Sequence, residues 1–174
     1  MGIRQDDLKN KAYRYNQRID ESQYTASYIK KKTAFLCHSH KDETLVKGLI
    51  VIFREANIHL YVDWMDQSMP EKPNKVTAEN IKSRIKNSDL FIFLATANSK
   101  ASRWCPWEIG FADGVNKNVY IVPTSDGYNT YGNEYLELYS KIDSGTFHIS
   151  GKPGYFITKI DEDTGYGISN RTLI

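Results

Sequence analysis

Five consecutive apolar residues, Leu90-Phe91-Ile92-Phe93-Leu94, constrain this 174-residue chain more than any other feature. A strand with one face in water alternates apolar and polar positions. A strand that is apolar throughout needs cover on both faces, the condition of a parallel strand inside an α/β sheet. The flanking pattern agrees. Ala34-Phe35-Leu36-Cys37 is a short apolar strand. Residues 42–56 predict a helix with Leu45, Leu49, Ile52, Phe53 and Ala56 as its buried stripe, and with Ser39 and Asp42 as a capping pair at its start. A strand over 58–62 follows, then a loop over 63–75 carrying Pro70 and Pro73, then a helix over 76–87 with Val76, Ile81 and Ile85 inward. Beyond the 90–94 strand come a helix over 106–115 with Pro106 at its first position and a strand over 119–122 closed by Pro123.

From residue 33 the order is therefore βαβαβαβ with short connections. Right-handed crossovers turn that order into an α/β fold, a flavodoxin-like doubly wound parallel sheet flanked by helices. The pattern weakens after Pro123, where it suggests a helix over 134–140 and strands or a hairpin at 145–149 and 155–160. Ahead of the sheet, Leu8, Ala12, Tyr15 and Ile19 recur at helical spacing, so residues 1–32 read as an N-terminal helical extension, helical over 5–30. The main domain then occupies 33–174, with its motif-bearing core at 33–123.

Charge divides along the same line. Residues 1–32 hold eight Lys/Arg against four Asp/Glu, while the rest of the chain holds fifteen against seventeen. The main body is slightly acidic and lacks the basic face of a nucleic-acid binder, so no nucleic-acid partner is expected. The run Lys30-Lys31-Lys32 suits a solvated helix C-terminus. No apolar run approaches the roughly 20 residues of a bilayer span, and no signal-peptide h-region is present. A cytoplasmic protein without a membrane partner is the expectation. Two cysteines far apart do not make a disulfide framework.

In an open α/β sheet, ligands bind beyond the carboxyl ends of the strands. That rule selects Cys37-His38-Ser39-His40, Asp63-Trp64, and residues 96–102. It also selects Glu108, expected in the first turn of its helix, where the dipole favours an ionised carboxylate. Such a group either complements the helix start or stabilises a cationic sugar in a glycosidic cleavage. His38 and His40 are spaced to face one way, yet no third ligand lies near them in the sequence, so no metal is expected. The cysteines read as buried, inert thiols. No P-loop, dinucleotide-binding or HExxH motif occurs. The end of the 90–94 strand lacks the aspartate of a phosphoacceptor receiver domain.

The segment Phe35-Leu36-Cys37-His38-Ser39-His40-Lys41-Asp42 resembles the first conserved box of Toll/interleukin-1 receptor (TIR) domains. Residues 99–109 are similar to the S-x-x-S-x-W-C-x-x-E-[LI] segment of enzymatic TIR domains, with Trp104 and Glu108 at WxxxE spacing. The 58–64 strand and its Pro-containing loop match the family's BB loop. The resemblance covers 33–123.

It implies an enzyme that consumes NAD as substrate, with no separate cofactor, and cleaves its nicotinamide–ribose bond. Glu108 matches the family's catalytic glutamate. His38 and Ser39 would line the phosphate or ribose side, and Asp63 and Trp64 the nicotinamide end. Trp104 would either pack beneath the glutamate or touch substrate. Phe35 would stack on a base or belong to the core. A chain of this length is similar to the stand-alone TIR subunits of Thoeris anti-phage systems. That likeness, rather than any residue, favours an ADP-ribose-derived signal, a cyclic isomer or conjugate, read by a separate effector protein. Other TIR subunits are the expected assembly partners, as a homo-oligomer or filament. The alternatives are a non-catalytic TIR assembly module and a nucleoside deoxyribosyltransferase-like enzyme.

Overall fold

The computed structural model describes residues 2–15, 32–66, 74–115, 117–160 and 162–169. The chain begins with β1 (Ile3–Arg4) and α1 (Gln5–Tyr15), continues through β2 (Lys32–Cys37), α2 (Glu43–Glu55), β3 (Ile58–Tyr61), α3 (Lys75–Asn87) and β4 (Leu90–Leu94), and reaches the short α4 (Ala97–Lys100) and α5 (Trp104–Gly114). Next come β5 (Asn118–Val122), β6 (Thr124–Ser125) and β7 (Thr130–Tyr131), then β8 (Ser140–Thr146), β9 (Pro153–Thr158) and β10 (Gly165–Gly167).

The main sheet has the order β10-β9-β8-β5-β4-β2-β3. Its five strands from β3 to β8 are parallel, and β9 and β10 extend it antiparallel. This is the doubly wound α/β arrangement that the 90–94 strand demanded, and β4 is the middle of the five parallel strands. Leu90, Ile92 and Leu94 join Leu36, Leu49 and Phe53 under α2, while Phe91 and Phe93 join Ile81, Ile85 and Ile109 under α3 and α5. Every side chain of β4 is buried because helices cover both sides.

The N-terminal segment is packed onto this body. β1 pairs parallel with β6, and Ile3 and Leu8 are fully buried in the same core as α2. α1 approaches α2 so closely at Gly48 that a Cβ there would collide with the backbone of Leu8. The expected helix over 5–30 is observed as α1, and the remainder, with Lys30 and Lys31, lies outside the described residues. Pro70 and Pro73 lie outside them too.

Several local expectations are corrected. The helix expected at 106–115 starts at Trp104, because the Ser102 hydroxyl accepts the N–H groups of Trp104 and Cys105 at 3.2 and 3.3 Å. Pro106 is thus its third residue, still within the turn where a missing N–H costs nothing. Ser39 and Asp42 do not cap α2 as a pair. Ser39 caps a 3₁₀ turn over His40–Asp42, and Asp42 makes no capping bond with its side chain. The helix expected over 134–140 is only a 3₁₀ turn at Asn133–Tyr135, since so short a segment cannot offset helix nucleation. The late hairpin is present, with its first strand at 140–146 rather than 145–149.

Candidate functional site

Adjacent parallel strands deliver their carboxyl-terminal turns side by side, and β3, β2 and β4 are adjacent. The turn after β2 supplies His38, Ser39 and His40. The turn after β3 is a 3₁₀ turn over Asp63–Met65. The segment after β4 runs from Thr96 through α4 into α5, which carries Glu108.

His38 is 8% exposed. Its Nδ1 lies 2.9 Å from the Leu36 carbonyl, and the Trp64 ring meets its ring edge-on at 4.5 Å between centroids. Burial holds the imidazole below its ordinary value despite the opposing charge of Asp63. His40 Nε2 lies 2.8 Å from Asp63 Oδ2, and that hydrogen bond raises the His40 pKa. Asp63 also accepts the Trp64 backbone N–H at 2.8 Å. Burial pushes the Asp63 carboxyl up, but the two histidines outweigh it and its pKa falls.

Asp42 joins the β2 and β4 ends. It is buried, and it accepts the Thr96 hydroxyl and the Asn98 amide, each at 2.6 Å. Thr96 and Ser99 form a reciprocal capping box that opens α4. The path of the chain from the β4 end toward α5 is therefore set by buried polar bonds.

Glu108 occupies the second turn of α5 rather than the first, and it is 6% exposed. The expectation of an ionised carboxylate is overturned. Burial raises its pKa from 4.5 to about 8, with the charges of Cys105 and Asp63 adding to the rise, while the Cys37 thiol and His40 oppose it. Helix-end stabilisation, worth about 1 kcal/mol or less at exposed termini, is smaller than this desolvation cost. Once ionised, a carboxylate so placed attracts a cation strongly, because little water screens the site.

Cys37 and Cys105 are free and buried, as expected. The Cys37 Sγ faces the Cys105 carbonyl and the Cys105 Sγ faces that of His38, at 3.9 and 3.5 Å. Burial drives the Cys37 thiol well above its usual range. These thiols form the wall between β2 and α5 beside Glu108.

Among the candidates named from sequence, the structure brings His38, Asp63, Trp64 and Glu108 to one neighbourhood, with Ser39 on the same turn. Phe35 is not at the surface of the crevice. It is 2% exposed, between the rings of Tyr61 and Phe91, and belongs to the core. Trp104 is half-buried and packs edge-on against Trp107. His40 and Thr96 lay in segments selected from sequence but were given no role, and Asp42 was read only as a cap. The strand-end rule already contained the signal, since it selected the three segments that meet here. A small recess lies on the α5 side of the same face, lined by Phe93, Thr96, Cys105, Pro106, Tyr131 and Tyr135. The segment after β5 thus closes one side of it.

Comparison with known proteins agrees with this architecture. The chain is 34% identical over 119 residues to the probable 3' cyclic ADP-D-ribose synthase ThsB' of Bacillus cereus (strain MSX-D12), covering 64% of this chain and 61% of that protein. It is 30% identical over 95 residues to the putative cyclic ADP-D-ribose synthase TIR2 of Cytobacillus dafuensis, covering 53% of this chain and 25% of that protein. The chain therefore matches less than two thirds of the length of either relative. A family model described as TIR domain matches residues 34–144, which run from β2 into β8 and include every strand-end turn described above. The chain belongs to the TIR domain family.

Proposed function

We propose that this chain is a TIR enzyme that cleaves the nicotinamide–ribose bond of NAD and closes the remaining ADP-ribosyl unit into a cyclic ADP-ribose. The observation that carries the reading is Glu108, a buried carboxyl near enough to Asp63 and His40, on the turns after β3 and β2, to feel their charges. The names of the two relatives, both cyclic ADP-D-ribose synthases, supply the product class.

The chemistry suits the group. NAD carries its positive charge on the nicotinamide ring. As the C1′–N bond breaks, the electron pair leaves with neutral nicotinamide and the charge moves to the ribose as an oxocarbenium ion. The leaving group needs no proton, so the O–H of a carboxylic acid has no part in its departure. A carboxylate does have a role, since it is attractive to the bound pyridinium and to the oxocarbenium that replaces it. NAD binding therefore favours ionised Glu108. A hydroxyl of the same ADP-ribosyl unit then attacks C1′ and passes its proton to solvent water, which gives a cyclic product.

His38 and Ser39 would face the ribose and phosphates. Asp63 and Trp64 would border the nicotinamide end, and Trp104 supports α5 from its position against Trp107. Phe35 would hold the crevice floor through the core. The partners of the reading are a second copy of the chain and a separate effector that responds to the cyclic nucleotide. No described helix is long and apolar enough to cross a membrane.

Incubation of the purified chain with NAD tests the product. A product smaller than ADP-ribose by one water, accompanied by nicotinamide, supports the reading. ADP-ribose alone would reduce the protein to a hydrolase.

A further inference from the structure

The turns after β2 and β3 present two imidazoles and a carboxylate to one point. His38, His40 and Asp63 each offer a ligand atom, and the three atoms lie within 4.8 Å of one another. His38 is the informative member. Its Nδ1 faces the Leu36 carbonyl at 2.9 Å, and a carbonyl only accepts, so Nδ1 carries the hydrogen. In the neutral ring Nε2 is then a bare lone pair. That atom is shut away from water and has no hydrogen-bond partner among the described residues, although Asp63 Oδ1 stands 3.4 Å from it. The pair is within ion-pair distance but does not meet hydrogen-bond geometry. A proton on Nε2 would therefore be an unsatisfied buried donor, and a lone pair there would face a carboxylate oxygen with nothing between them.

A metal ion between the two atoms removes the conflict. We propose that His38 Nε2, His40 Nε2 and Asp63 bind a borderline divalent ion of the zinc class, with a fourth position open to the crevice. Two imidazole nitrogens and one carboxylate oxygen suit such an ion and disfavour magnesium or calcium, which take oxygen ligands. Zinc bonds of about 2.0–2.2 Å in a tetrahedron set ligand atoms roughly 3.3 Å apart, close to the His38–Asp63 separation already present. His40 is the adjustable ligand, with its side chain 68% exposed.

The supporting shell is also in place. The Leu36 carbonyl fixes the tautomer and direction of His38, as an outer-shell acceptor does in metal sites. The Trp64 N–H fixes Asp63 through Oδ1, and the Trp64 ring packs against His38. The two cysteines are turned toward backbone carbonyls across the wall. This site does not depend on the NAD reading, and its test needs no turnover.

The full chain, freed of metal with a chelator and then cleared of it, is titrated with Co²⁺ and back-titrated with Zn²⁺. The expected result is one Co²⁺ per chain, with visible d–d bands of a four-coordinate nitrogen and oxygen site that Zn²⁺ abolishes. His40→Ala, at an exposed position, should weaken Co²⁺ binding by at least the roughly 10-fold that even an outer-shell change costs, with an unchanged melting curve. The Cys37→Ser and Cys105→Ser variants should keep the bands. Absence of the bands, full affinity in His40→Ala, or bands lost with the cysteines would each overturn the assignment.

Discussion

The carboxylate of Asp42 accepts the Thr96 hydroxyl at 2.6 Å, with both residues buried. One bond thereby ties the turn after β2 to the turn after β4, and Asn98 adds a second tie to the same carboxylate. The relationship positions the approach to α5, and so Glu108, without touching the glutamate.

Removing one partner should expose the cost of the other. Asp42→Ala leaves the Thr96 hydroxyl and the Asn98 amide without their acceptor, and should destabilise the fold by about 1–3 kcal/mol in urea denaturation. Thr96→Val in the Asp42→Ala background should cost less than in the wild type, with a coupling of about 0.5–3 kcal/mol. Additive losses would mean that the two side chains act independently.

Gly48 offers a test of the docking of α1. Helix propensity alone would make Gly48→Ala stabilising by about 1 kcal/mol. The collision of the new methyl with the Leu8 backbone reverses the sign, and a loss of about 1–3 kcal/mol is expected. A rise in melting temperature would show that α1 does not pack against α2 at this distance.

Burial of Glu108 also predicts the pH dependence of stability. Its pKa is raised from 4.5 to about 8, so between these values the native state holds a proton that the unfolded chain releases. Stability therefore falls as pH rises through that window, by an amount on the order of a few kcal/mol at about 1.4 kcal/mol per pH unit. Glu108→Gln removes the contribution. Its melting temperature relative to wild type should rise from pH 5 to pH 9, measured with a chelator present. Parallel curves would mean that the carboxyl keeps its ordinary value.

The sheet was legible because β4 has no polar position to spare: Leu90, Ile92 and Leu94 need one helical layer, and Phe91 and Phe93 need another. The neighbouring turns were legible for the same reason, since strand order determines which ends meet. What sequence did not disclose depended on contacts across the crevice. α5 begins at Trp104 because Ser102 accepts its N–H, an event invisible to a rule that places proline first. The state of Glu108 is governed by its enclosure beside Cys37 and Cys105, not by distance from a helix end. Asp63 joins His38 and His40 only through the pairing of β2 with β3, so counting ligands along the chain missed it. Phe35 opens the first motif in sequence but packs between Phe91 and Tyr61 in the core.

The central claim concerns Glu108, and nicotinamide release from NAD tests it most directly. Wild type and Glu108→Gln are incubated with NAD at equal concentration, and nicotinamide is followed by chromatography with mass identification. Wild type should release it and Glu108→Gln should not, with each protein unfolding in one cooperative transition. Release by Glu108→Gln at the wild-type rate would contradict the account and remove this carboxyl from the chemistry.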